Sequence, residues 1–101
     1  MGAPRLVLHP DAADEYVEAV RCYGERSAPV RASFVSEVER AFRLIIAFPN
    51  RWPRFGSRHR RILVRRFPYS VIYLETNGRL WVVAVAHAKR KPFYWSKRAI
   101  R

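Results

Sequence analysis

Apolar positions recur along this chain in two rhythms, and the change from one to the other divides it. Ala13, Tyr16, Val17, Val20 and Tyr23 follow one another at helical spacing and predict one amphipathic helix, opening at Pro10-Asp11 and running to about Glu25. Asp14 and Glu15 lie near its start, where the helix dipole favours acids. Ahead of it, Arg5 to His9 is a short strand candidate. Ser27-Ala28-Pro29 breaks the pattern and restarts it, with Ser27 as cap and Pro29 in the first turn. Phe34, Val35, Val38, Ala41, Phe42, Ile45 and Phe48 then trace the face of a second helix, which Pro49-Asn50 ends. Two such helices on a short connection form an antiparallel hairpin.

The second half has the rhythm of strands. Pro49 to Arg58 is rich in Pro and Arg and is expected as an irregular crossing segment. Arg61 to Phe67 and Tyr69 to Leu74 are β-branched and aromatic, with Pro68 between them at a bulge or edge. Asn77-Gly78 is a hairpin signal, because both residues tolerate positive φ, and it leads into Leu80 to Ala86, continuously apolar as in a strand buried on both faces. The predicted class is α+β with order βααβββ: an N-terminal strand, an antiparallel two-helix hairpin, then a three-stranded antiparallel sheet with the hairpin on one face. With 101 residues, half of them hydrophobic, residues 1–101 are expected to fold as a single domain, and a disordered chain is excluded.

Charge sharpens this picture. Residues 1–39 hold seven acids and four bases, whereas residues 40–101 hold sixteen bases and Glu75 alone, so the formal +12 lies in the later part. Like charges gathered against their own repulsion point to a polyanion or an acidic protein as partner. Seven arginines between positions 51 and 66, with no acid among them, read as a binding surface. Cys22 is the only cysteine, so neither an internal disulfide nor a thiolate metal cluster is expected. No metal or other cofactor is implied. The N-terminus lacks the apolar stretch of a signal peptide and nowhere do about eighteen apolar residues run together, so a cytoplasmic protein without membrane contact is expected. Several prominent side chains have structural readings: Tyr69 and Tyr73 as core or cross-strand residues, Trp95 and Trp52 as anchors, and Cys22 as an inert core residue.

Two strings carry a family resemblance. Arg65-Arg66-Phe67-Pro68-Tyr69-Ser70-Val71-Ile72-Tyr73 and Val85-Ala86-His87-Ala88-Lys89-Arg90-Lys91-Pro92-Phe93-Tyr94-Trp95, following an acidic helical hairpin, resemble the RelE/ParE superfamily of toxins from type II toxin–antitoxin systems. The likeness extends over nearly the whole chain. It implies a small bacterial protein, toxic when free and neutralised by a cognate antitoxin, whose partner segment should be acidic and amphipathic to cover a basic surface. Members similar to RelE cleave mRNA on the ribosome without metal, and members similar to ParE poison DNA gyrase.

Cleavage of RNA without metal requires a base for the 2′-hydroxyl, cations for the transition state and an acid for the leaving oxygen. His87, Arg90 and Tyr94 supply those types within eight residues, and on this ground the ribonuclease is the favoured target reading. Arg90 and Tyr94 also fall where RelE-like enzymes place a C-terminal Arg and Tyr. Ser70 departs from that pattern, in which an arginine follows the Tyr of the third strand. Phosphate contacts are expected from Arg58, Arg60, Arg61, Arg65, Arg66, Lys89, Lys91 and Arg98. The alternatives are a gyrase inhibitor that uses the same surface without a catalytic residue, and a plain nucleic-acid-binding module or inactive toxin relic.

Overall fold

A computed structural model describes residues 5–100. The elements appear in the order expected: β1 (Arg5–Leu8), α1 (Pro10–Arg26), α2 (Ala28–Ala47), β2 (Arg60–Leu63), β3 (Tyr69–Thr76) and β4 (Arg79–His87). Local chemistry sets the helix ends. The His9 imidazole accepts from the Asp11 N–H at 3.0 Å and opens α1, with Pro10 in the first turn. Ser27 serves both helices, its N–H closing α1 on the Tyr23 carbonyl while its Oγ accepts from the Val30 N–H to open α2.

The sheet differs from the expectation in one respect. Its order is β1-β4-β3-β2, and β1 runs parallel to β4 while the other two pairings are antiparallel, so it is a mixed four-stranded sheet. The apolar β4 needs a neighbour on each side to be a central strand; β3 takes one through the Asn77-Gly78 turn, and β1 takes the other. β2 is also shorter than the predicted Arg61–Phe67. Arg66 turns left-handed at φ 74° and Pro68 has no N–H to give, so the ladder stops at Leu63 and Phe67 swings into contact with Tyr23 and Phe34.

Both faces of the sheet are covered. On one, Phe34, Val38 and Ile45 of α2 and Ala12 and Ala19 of α1 pack on Val71, Tyr73, Val82 and Val85. On the other, Trp95 and Ile100 from the segment after β4, with Phe55 from the loop before β2, close over Ile72, Leu74 and Ala84. The register slips between Ile72 and Tyr73, leaving Val83 without a partner, so β4 changes phase at this bulge. Tyr73 and Trp95 are buried as expected, and Trp52 anchors its loop by donating to the Leu44 carbonyl at 3.2 Å.

Two sequence readings on α1 are corrected. Val17 is 65% exposed and Cys22 is exposed, because the stripe that meets the sheet passes through Ala12, Ala19 and Tyr23 instead. Cys22 therefore faces solvent beside Glu18 and is no core residue. Among the described residues no helix is long and apolar enough to cross a membrane.

Candidate functional site

The three candidate catalytic residues meet where β4 ends. His87 closes the strand, and the chain turns there because the Ala88 N–H donates to the Pro68 carbonyl at 2.8 Å and the Arg90 N–H to the His87 carbonyl at 3.0 Å. The His87 ring takes part in the same turn: its Nδ1 accepts from the Lys89 N–H at 3.0 Å, and its edge meets Tyr69 at 4.9 Å. A neutral imidazole accepting at Nδ1 carries its proton on Nε2, so its one free lone pair is already engaged. That arrangement does not suit a general base.

Tyr94 is engaged as well, by a residue read from sequence only as a favourable charge near the start of α1. Glu15 Oε2 accepts from the Tyr94 hydroxyl at 2.6 Å and from Arg98 Nη2 at 2.9 Å; its Oε1 accepts from Arg98 Nη1 and the Val85 N–H, each at 3.0 Å. Arg98 Nη1 also donates to the Val83 carbonyl at 2.8 Å. This network follows from the shortness of β1. Pairing on that side of β4 ends with the His9 N–H on the Val82 carbonyl, so Val83 and Val85 present backbone groups that no strand meets. An acid from α1 and a base from the C-terminal segment meet them instead. Burial, and then the bond to Glu15, hold the Tyr94 hydroxyl protonated well above its ordinary range. Arg90 lies with its guanidinium 3.8 Å from the centre of the Tyr94 ring and 3.8 Å from Glu15 Oε2.

The eight expected phosphate-binding residues fall into three groups: those with structural partners, those exposed outside the cleft, and those that line it. Arg98 is held by Glu15, Arg60 donates to the Trp52 carbonyl at 2.7 Å, and Arg65 pairs with the buried Glu37 at 3.1 Å. Arg58, Arg66 and Lys89 are exposed, with Arg66 inside the β2–β3 turn. Arg61 and Lys91 line a cleft of about 160 Å³ on the sheet face away from the helices, together with Ser70, Phe55 and Phe93; no Asp or Glu lines it. His87, Arg90 and Tyr94 stand between this cleft and a second one, of about 320 Å³, bounded by Asp14, Glu15, Glu18 and Cys22 on α1.

Sequence reasoning missed Glu15, Phe55, Phe93 and His59. Phe93 stands in the second family string between Pro92 and Tyr94, and its aromatic character is the available signal. His59 had none. It packs edge-on against Trp95 at 4.5 Å, and burial, aided by Arg58, lowers its pKa from 6.5.

Known proteins bear on this geometry as follows. The family described as ParE toxin of type II toxin-antitoxin system, parDE, matches residues 6–92. Among solved structures, a chain of the chromosomal ParDE TA system from P. aeruginosa is similar with a TM-score of 0.74 at 13% identity, over 86% of this chain and 98% of that one. At that identity the likeness shows the fold alone. No curated protein sequence matches.

Proposed function

The chain belongs to the family of ParE toxins of type II toxin–antitoxin systems, and from that membership we propose that it arrests growth by binding DNA gyrase on its DNA, with no catalytic residue of its own. The observation that carries this reading is the Tyr94 hydroxyl on Glu15 at 2.6 Å. With the phenol proton directed at a carboxylate, the His87 Nδ1 engaged by its own turn, and Ser70 where the ribonuclease pattern places arginine, the three candidates have structural partners rather than a reacting phosphate. A carboxylate among them would also repel a phosphodiester. The ribonuclease reading favoured by residue types gains no support from the family match.

Neutralisation falls to a cognate antitoxin with an acidic, amphipathic segment. Leu44, Trp52, Ile62 and Leu63 form an apolar groove between α2 and β2, flanked by Arg40 and Arg61, and such a segment would cover it while meeting the arginines.

The test is induction of the chain without antitoxin, followed by pulse labelling of DNA and protein synthesis, with gyrase supercoiling measured on purified protein. A replication block with an SOS response, and inhibited supercoiling unchanged by His87→Ala, is expected. An early stop in translation with mapped mRNA cuts, relieved by His87→Ala and Arg90→Ala, would overturn the proposal and restore the ribonuclease.

A further inference from the structure

The acid-free cleft contains an aromatic stack that rests on the buried Trp95, 5.7 Å from Phe55 and 5.6 Å from Phe93 between ring centroids. Phe55 and Phe93 stack with centroids 4.9 Å apart and planes at 24°, and the Arg61 guanidinium lies 4.2 Å from the Phe55 centroid. Phe93 is nevertheless 44% exposed. Its backbone sits at φ 62°, a conformation uncommon for a bulky residue, and the ring has room because position 56 is glycine: a Cβ there would lie 3.3 Å from Phe93 Cε1. The left-handed backbone and the glycine contact thus seat the ring against Phe55, Trp95 and Gly56 with the residue still part-exposed, and Arg61, Arg90 and Lys91 lie on the same cleft.

We propose that this cleft binds single-stranded nucleic acid, one unpaired base stacking on Phe93 and the adjoining phosphates lying against Arg61 and Lys91. An open ring beside cations and without acids fits a base with its phosphates, because every base has a face to stack and the backbone is anionic. A duplex buries its base faces and offers the ring nothing. The inference deepens the function proposed above, since it gives a poison of an enzyme–DNA complex a contact of its own with the DNA.

The test uses the full chain without gyrase. Binding of labelled oligothymidylate, oligouridylate and a duplex of equal length is followed by fluorescence anisotropy at low salt. Tighter binding of either single strand than of duplex is expected, and the ratio between the two strands tells whether DNA or RNA supplies the base. Phe93→Ala should weaken single-strand binding about tenfold, Phe93→Leu similarly, and Phe93→Trp should retain it. Circular dichroism confirms that each variant is folded. Absent binding, affinity indifferent to Phe93→Ala, or full affinity in Phe93→Leu would overturn the proposal, the last by indicating an apolar contact suited to a protein. Gyrase inhibition measured in parallel separates the two claims: inhibition without oligonucleotide binding sinks only this one, and binding without inhibition sinks only the other.

Discussion

Two clefts share the ridge formed by His87, Arg90 and Tyr94, and they differ in what stands opposite. On the α1 side the ridge faces Asp14, Glu15 and Glu18; on the other it continues into Arg61, Lys91, Phe55 and Phe93. Identical side chains therefore have opposite prospects. Toward α1, the Tyr94 proton and the Arg90 charge meet a carboxylate that also seals an open strand edge, whereas away from α1 no acid competes with an incoming phosphate. Side-chain type alone does not make a site; the sign of the neighbouring charge decides.

If the division is sound, each cleft should have its own stability signature. Trp95→Ala removes the buried indole beneath the acid-free cleft and should cost about 3–5 kcal/mol in a denaturant titration. Glu15→Gln should cost less, about 2–3 kcal/mol, since it keeps the volume but removes the charge that two donors of Arg98, the Tyr94 hydroxyl and the Val85 N–H share. A Glu15→Gln protein as stable as the parent would show that the acid-lined cleft is not a structural clamp.

A smaller effect lies under the acid-free cleft. Burial keeps the folded pKa of His59 below 6.5, so as pH falls the unfolded chain takes up this proton before the folded one. The contribution of His59 to stability is thus complete above about pH 6.5 and declines as pH drops through that value. Melting curves recorded from neutral to mildly acid pH should show the decline in the parent and a shallower one in His59→Asn; identical slopes would remove His59 from the account. Smallest of all is Cys22 on the opposite side. Its thiol should react with an aromatic disulfide reagent in the folded protein, and Cys22→Ser should change stability by less than about 0.5 kcal/mol. A thiol that reacts only after denaturation would return Cys22 to the core.

What could be read in advance was local. Ser27 between two helical stripes, Asn77-Gly78 between two apolar runs and the fully apolar Leu80 to Ala86 each placed an element, because capping, turn chemistry and periodicity act over a few residues. The same locality explains the errors on α1: helical periodicity gives a stripe but not its centre, and Val17 and Cys22 fell outside the part that meets the sheet. Pairing of β1 alongside β4, the bulge at Val83 and the meeting of Glu15 with Tyr94 and Arg98 across most of the chain were beyond reach. Element order, the concentration of positive charge and the family strings are properties of neighbouring residues and were readable along the chain. Which of those charges are free depends on packing between distant segments. An ion pair depends on distance in space, and the short β1 that leaves Val83 and Val85 unmet makes Glu15 and Arg98 structural, while Arg61 and Lys91, with no acid beside them in their cleft, remain available to a partner.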